Sequence, residues 1–302
     1  YISHRMEEIF ELCDRISVLR DGTYIGTKEI PQTNMNEIVK MMIGREIGER
    51  YPKRDCKIKD TALEVADLTK NNVFHHVSFE VKAGEVLGVS GLMGAGRTEI
   101  MQASFGNLSY DSGSIRIAGK EVRIKSPIDA MKHGIGFITE DRKVEGLMLE
   151  ESIEKNIALA NLSRISSHSF VNPKKEEELV KKGIQELHIK CFGAQHECSN
   201  LSGGNQQKVV FAKWIYTNPD ILILDEPTRG VDIGAKKEIY TIINELASKG
   251  VAIIMVSSEL PEVLGMSDRI MVIREGEVRG ILKKEEANQE NIMTLATGGT
   301  IE

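Results

Sequence analysis

Three groups of residues in this 302-residue chain have types and spacings that could do chemistry. The first is Gly91-Leu92-Met93-Gly94-Ala95-Gly96-Arg97-Thr98, between the apolar run Val86–Ser90 and a helix-like run from Glu99. Glycines at 91, 94 and 96 let backbone N–H groups turn toward a ligand, and the helix start behind them adds positive dipole, so the stretch predicts a phosphate-binding loop. Thr98 would put its hydroxyl on Mg²⁺. The second group is Asp225-Glu226, which the apolar run Ile221–Leu224 delivers to the C-terminal edge of a strand, where open α/β sheets bind ligands. Asp225 is placed to hold Mg²⁺, and Glu226 to polarise a water in line with a γ-phosphate. The third is Leu201-Ser202-Gly203-Gly204-Asn205, just ahead of an amphipathic helix expected from about Val209 to Thr217. It offers a hydroxyl and backbone N–H groups as a second anion site. One nucleotide does not need two such sites, so this one is expected to face a nucleotide held by another domain.

These groups need an α/β frame, and the patterning predicts one. Leu63–Leu68 and Val77–Val81 alternate apolar and polar residues as half-buried antiparallel strands do. A further strand and turn is expected over Ser114–Lys120, and a buried strand over Gly134–Thr139. Ile221–Leu224 and Val251–Val256 are continuous apolar runs, the pattern of parallel strands buried on both faces. From about Leu147 to His188 the chain is helix-like and amphipathic, interrupted around Phe170–Pro173, as expected of a helical insertion in the core.

Composition narrows the function classes. A hydrophobic content of 41% with 28% charged residues is that of a globular protein, and a net charge of −6 supplies no basic footprint for nucleic acid. Cys13, Cys56, Cys191 and Cys198 form no CxxC pair, and no stretch resembles a secretory signal, so reduced thiols are expected. No apolar run approaches the roughly 20 residues that span a bilayer, so any membrane role is expected to run through a partner.

Residues 2–44 repeat residues 256–298 at a constant offset, with twelve identities that include Ser3/Ser257, Glu8/Glu262, Asp14/Asp268, Arg15/Arg269, Gly22/Gly276 and Gly44/Gly298. Each copy reads as helix, strand, Asp-Gly or Glu-Gly turn and strand. In the first copy these are Met6–Cys13, Arg15–Arg20, Asp21-Gly22 and Thr23–Glu29, with a short helix over Asn34–Ile43. Residues 1–44 are therefore expected to be the tail of a preceding domain, poorly ordered or borrowed into a neighbouring molecule or onto the following domain, with a linker over 45–60 and a complete domain over 61–302.

In order, the glycine-rich loop, LSGGNQQK, ILILDEPT and the following GVD resemble an ATP-binding cassette domain over residues 61–298. GLMGAGRTE, ITEDRKVEGL, DEPTRGVDIGAKKEIY and SSELPEVLGMSDRI are similar to the tandem-cassette ATP-binding subunits of bacterial simple-sugar importers, the ribose importers first and those for galactose and methylgalactoside next. The resemblance implies a P-loop α/β core with a mainly parallel sheet, an antiparallel β subdomain and a helical subdomain over about 147–215. It implies ATP and Mg²⁺ as ligands, Ser202-Gly203-Gly204 as the signature serving a partner cassette, and Asp232 as the aspartate of the loop that couples the two sites. It further implies three partners: a membrane sugar permease contacting the Glu140–Glu150 loop in a shallow groove, an extracytoplasmic sugar-binding protein reached through that permease, and the chain's own first cassette. The place of work would be the cytoplasmic face of the plasma membrane.

The chain departs from the cassette pattern at four points. Arg97 replaces the loop lysine; Glu140, a candidate Mg²⁺ ligand, replaces a glutamine; Ser258, a candidate catalytic residue, replaces the γ-phosphate-sensing histidine; and Lys70–Val77 is too short to carry the adenine-stacking aromatic, so that Phe74 fills the core. Ser258 aligns with His4 of the first copy. The expectation is a cassette that binds MgATP but hydrolyses it poorly. A soluble tandem-cassette protein acting on ribosomes or DNA would need a basic arm or a long charged linker, and the 45–60 stretch is neither.

Overall fold

Alternating residues build one of the two larger sheets among the described residues, and continuous apolar runs build most of the other. The computed structural model describes residues 6–20, 23–34, 37–38, 41, 51–52, 54, 56–168 and 170–301. In chain order the elements are α1 (Met6–Leu12), β1 (Arg15–Arg20), β2 (Thr23–Glu29), β3 (Thr61–Lys70), β4 (Phe74–Lys82), β5 (Val86–Gly91), α2 (Arg97–Phe105), β6 (Ser112–Ile117), β7 (Lys120–Val122), α3 (Pro127–Lys132), β8 (Ile135–Ile138), α4 (Ile153–Leu159), α5 (Leu162–Ile165), β9 (Ser166–Ser167), β10 (Phe170–Val171), α6 (Pro173–Glu186), α7 (Gly203–Ile215), β11 (Ile221–Asp225), α8 (Ile233–Ser248), β12 (Ala252–Val256), α9 (Leu260–Met266), β13 (Arg269–Arg274), β14 (Glu277–Lys283) and α10 (Gln289–Thr297).

The alternating strands form an antiparallel sheet in the order β4-β3-β6-β7. Leu63, Val65 and Leu68 of β3, with Val77, Phe79 and Val81 of β4, turn inward, and Phe74 is fully buried among them. The apolar runs form a six-stranded sheet in the order β14-β13-β5-β12-β11-β8, parallel except for β14. Burial on both faces explains why β11 and β12 contain almost nothing but aliphatic residues.

The two faces of this sheet carry different helices. Leu87, Val89, Ile221, Ile223 and Ile254 pack with Ile100, Met101 and Phe105 of α2 and with the antiparallel sheet. Val86, Leu222, Leu224, Ile253 and Met255 pack with α8, with Val209, Val210 and Phe211 of α7, and with Ile153 and Ile157 of α4. The helix behind the phosphate-binding loop and the helix behind Ser202 therefore lie on opposite sides of the sheet. The break expected near Phe170–Pro173 is the β9–β10 hairpin, after which Asn172 caps α6 and Pro173 takes its first position. One expectation is corrected: α7 begins at Gly203 rather than near Val209, so the two signature glycines form its first turn. Gln206, Gln207 and Lys208 after the glycines are buried but polar, Gln206 donating to the Cys198 carbonyl at 3.1 Å and Lys208 to the His188 carbonyl at 3.0 Å, so no apolar periodicity marks the start of the helix.

The repeat is also structural. β1 and β2 match β13 and β14 residue for residue at the same offset, including a register shift at Val18/Leu19 and at Val272/Ile273. Ile16, Val18 and Ile38 are buried, as are Ile270, Val272 and Ile292, but the first cluster is small and takes in Ile233 from α8. Glu37, Ile38 and Met41 are helical, whereas Asp21-Gly22 and His4 lie outside the described residues. The stretch expected to be a plain linker is held down where it is described. Tyr51 packs on Tyr240 with ring centres 5.2 Å apart, Asn244 donates to the Pro52 carbonyl at 2.6 Å, and Arg54 pairs with Asp268. The four cysteines are free thiols, and burial pushes the Cys198 thiol up to about 11.

Candidate nucleotide site

β5 ends at Gly91 and α2 begins at Arg97, so the loop between them is only five residues long and must turn sharply. Gly94 and Gly96 have φ values of 75° and 94°, left-handed conformations that a side chain would strain. The loop is moored where the Gly276 N–H donates to the Ala95 carbonyl at 2.9 Å, and it leaves Leu92 and Met93 exposed at its crest.

Asp225 is the last residue of β11, paired with Val256 of β12, and Glu226 follows with its N–H donating to the Val256 carbonyl at 3.0 Å. Glu226 holds φ at 48°, a costly conformation for a carboxylate residue and one that recurs at functional sites. Both oxygens of Asp225 are buried without a hydrogen-bond partner. Burial is the main cause that pushes its carboxyl up to about 6, with the nearby Thr98 hydroxyl and Arg97 pulling the other way. A buried carboxylate left without partners beside a threonine hydroxyl fits a divalent cation. Among the described residues no group of three or more metal-binding side chains exists, so such an ion would take further oxygens from a phosphate or water.

Arg97 does not stand free in the loop. Its Nη1 donates to the Ser257 carbonyl at 3.1 Å, and its Nη2 lies 3.8 Å from Glu226 Oε1, with the two side chains 12% and 11% exposed. The Ser258 hydroxyl donates to the other oxygen, Oε2, at 3.1 Å. Burial pushes Glu226 up to about 7, while Arg97 and Ser258 lower it. Ser258 therefore serves the carboxylate of this cluster directly.

Sequence reasoning passed over Glu262. This buried carboxylate accepts from the Thr228 hydroxyl at 2.9 Å and from the Ser257 hydroxyl, and so ties the segment after Glu226 to the one that holds Arg97. Its signal was present, since both Ser257 and Glu262 are identities of the repeat. Glu140 is engaged by the Arg229 guanidinium.

The signature lies apart from this cluster. Ser202 occupies the N-cap position of α7 without capping the backbone; it is exposed, and its hydroxyl accepts from Asn205 Nδ2 at 3.0 Å. Leu201 is half-buried below it. Asp232 caps α8 by accepting from the Ala235 N–H at 2.9 Å, and a Cβ on Gly204 would come 2.5 Å from that of Ala235. The signature and the Asp232 loop are thus in contact, whereas Gly91–Thr98, Asp225, Glu226 and Ser258 gather elsewhere.

Residues 74–229 match the profile of ABC transporters. The chain belongs to the ABC transporter family. It is 60% identical to the ribose import ATP-binding protein RbsA of Geobacillus kaustophilus and 58% identical to that of Bacillus subtilis, over 99% of its length in each case. It spans 60% and 61% of those relatives. Among solved structures, a nucleotide-free ATP-binding cassette from an ABC transporter superposes with a TM-score of 0.66 at 22% identity, covering 78% of this chain and 96% of that one. The cbiO1 subunit of Clostridium perfringens gives 0.65 at 24% identity, covering 78% and 93%. These likenesses establish the ABC ATPase fold, with its parallel core, antiparallel subdomain and helical subdomain, as the resemblance implied.

Proposed function

We propose that this chain is the second-cassette part of a tandem-cassette ATP-binding subunit that energises import of a simple sugar, with ribose as the cargo. Residues 1–44 are then the tail of the first cassette, and residues 61–302 form the second. The subunit works at the cytoplasmic face of the membrane on an integral sugar permease, which an extracytoplasmic binding protein supplies. No described helix is long and apolar enough to cross a bilayer, so the contact would run through that permease. The 60% identity to a ribose import subunit supports the cargo.

One observation carries the mechanistic reading: Arg97 is turned onto Glu226. The loop Gly91–Thr98 binds ATP phosphates through backbone N–H groups and the α2 dipole. Asp225 and Thr98 would hold Mg²⁺, which when bound offsets phosphate charge. Glu226 would have to orient a water and take its proton, yet the Ser258 hydroxyl donates to one of its oxygens and the Arg97 guanidinium lies 3.8 Å from the other. Binding therefore survives better than hydrolysis at this site. Ser202-Gly203-Gly204, exposed at the start of α7, serves the nucleotide on the first cassette instead.

The test pairs a growth assay with a pull-down. A strain lacking this subunit should lose growth on ribose while keeping growth on arabinose and xylose, and the subunit should co-purify with an integral membrane permease. Loss on galactose alone would reassign the cargo, and co-sedimentation with ribosomes would replace the importer reading altogether.

A further inference from the structure

Arg142 opens a π-helical turn, Arg142–Gly146, between β8 and the helical subdomain, and its side chain reaches away from that turn. Its Nη1 donates to the Arg229 carbonyl at 2.6 Å, its Nη2 to the Gly230 carbonyl at 3.2 Å, and its Nε to Gln206 Oε1 at 3.4 Å. One planar guanidinium therefore joins three segments distant in sequence: the turn after β8, the first turn of α7, and the loop ahead of Asp232. Among the described residues no carboxylate forms an ion pair with it, so its donors go to carbonyl and amide oxygens. A fork with five N–H groups can satisfy that arrangement and an ammonium cannot.

The surrounding geometry is tight. A Cβ on Gly203 would lie 2.8 Å from Arg142 Nη2 and 3.0 Å from the Gly230 carbonyl oxygen. Gly146, at the far end of the turn, faces Val210 of α7, where a Cβ would sit 3.4 Å from a Val210 methyl. Its carbonyl accepts from Lys213 Nζ at 3.0 Å. The turn is thus fastened to α7 at both ends, while Val144 at its middle is 78% exposed.

We propose that Arg142 is a positioning residue, a strut that fixes Ser202-Gly203 of the signature relative to the Asp232 loop and makes both move with the turn that carries Val144. The strut deepens the importer reading, on which its consequence for turnover rests; the strut itself does not depend on it. A push on the exposed turn then displaces the signature and the Asp232 loop as one body.

Hydrogen exchange on this chain tests the strut without nucleotide or permease. In Arg142→Met and in Arg142→Lys, exchange at the Gln206 and Val231 amides, which bond to the Ser202 and Thr228 carbonyls, should rise about 10-fold while β11 and β12 amides stay unchanged. Unchanged exchange at Gln206 and Val231 would overturn the strut, as would equal acceleration across β11 and β12. Turnover is read separately in the two-cassette subunit with its permease. There Arg142→Met should lower kcat about 10-fold with the KM for ATP within about 2-fold, and added guanidinium ion should recover part of the loss. A raised KM with unchanged kcat would overturn the link to the partner nucleotide.

Discussion

The two candidate anion-binding regions of this molecule differ in where their polar groups are spent. Around the phosphate-binding loop the charged groups answer one another: Arg97 lies against Glu226, Ser258 donates to Glu226, and Glu262 gathers Thr228 and Ser257 behind them. At the signature, Ser202 is exposed and caps no backbone group, while Arg142 and Asp232 brace the loops beside it from behind. On the proposed reading, the region whose charges pair inward binds nucleotide but hydrolyses it poorly. One that keeps its polar groups outward and its supports stiff is suited to complete a site on another domain.

The largest effect that would break this contrast comes from Ser202→Arg. In the two-cassette subunit it should lower ATP turnover by about 100-fold or more, because an arginine there meets the partner's phosphates with the wrong shape, whereas Glu226→Gln should cost less than about 3-fold. Comparable losses from both, in a steady-state phosphate-release assay, would make the two regions equivalent.

Asp225 sharpens the contrast through stability. Its folded carboxyl near 6 lies above the ordinary 3.8, so the folded state holds its proton more tightly than the unfolded chain does. Stability from this group is full below about pH 4, is lost as pH rises toward 6, and stays lost above it. Asp225→Asn should therefore raise the unfolding free energy by about 1–3 kcal/mol at pH 8, and much less at pH 4, in urea titrations. No difference at pH 8 would mean the buried oxygens have partners that offset their burial.

Smaller still is the gain expected from reversing the inward turn. Arg97→Lys combined with Ser258→His should raise this cassette's own hydrolysis by about 10-fold, since a lysine frees Glu226 and a histidine reaches past it. An unchanged rate would place the block elsewhere. The smallest effect concerns Val144→Cys, which should alter ATP affinity by less than about 2-fold yet cross-link to the permease in membranes. Cross-links formed only from the Gly298 end of the chain would reject that docking face.

Much of this was legible in the sequence, for identifiable reasons. β11 and β12 could be read because burial on both faces leaves only aliphatic residues, and the β1–β2 hairpin because its repeat and turn dipeptide agree. The loop and the Asp225-Glu226 pair were visible because glycine spacing and adjacent carboxylates are local features. What escaped was long-range. No local pattern reports that Arg142 reaches across to Arg229 and Gly230, that Glu262 gathers Thr228 and Ser257, or that Glu140 meets Arg229. The start of α7 escaped for a different reason, since its first turn shows no apolar face to the core.

The most direct test of the central claim is ATP binding and steady-state hydrolysis measured side by side on this chain, with and without the first cassette. The expected result is Mg²⁺-dependent ATP binding with barely measurable turnover alone, and turnover restored by orders of magnitude when the first cassette is supplied, then lost on Ser202→Arg. Rapid hydrolysis by the chain alone, abolished by Glu226→Gln, would contradict the claim that Arg97 and Ser258 have closed this site.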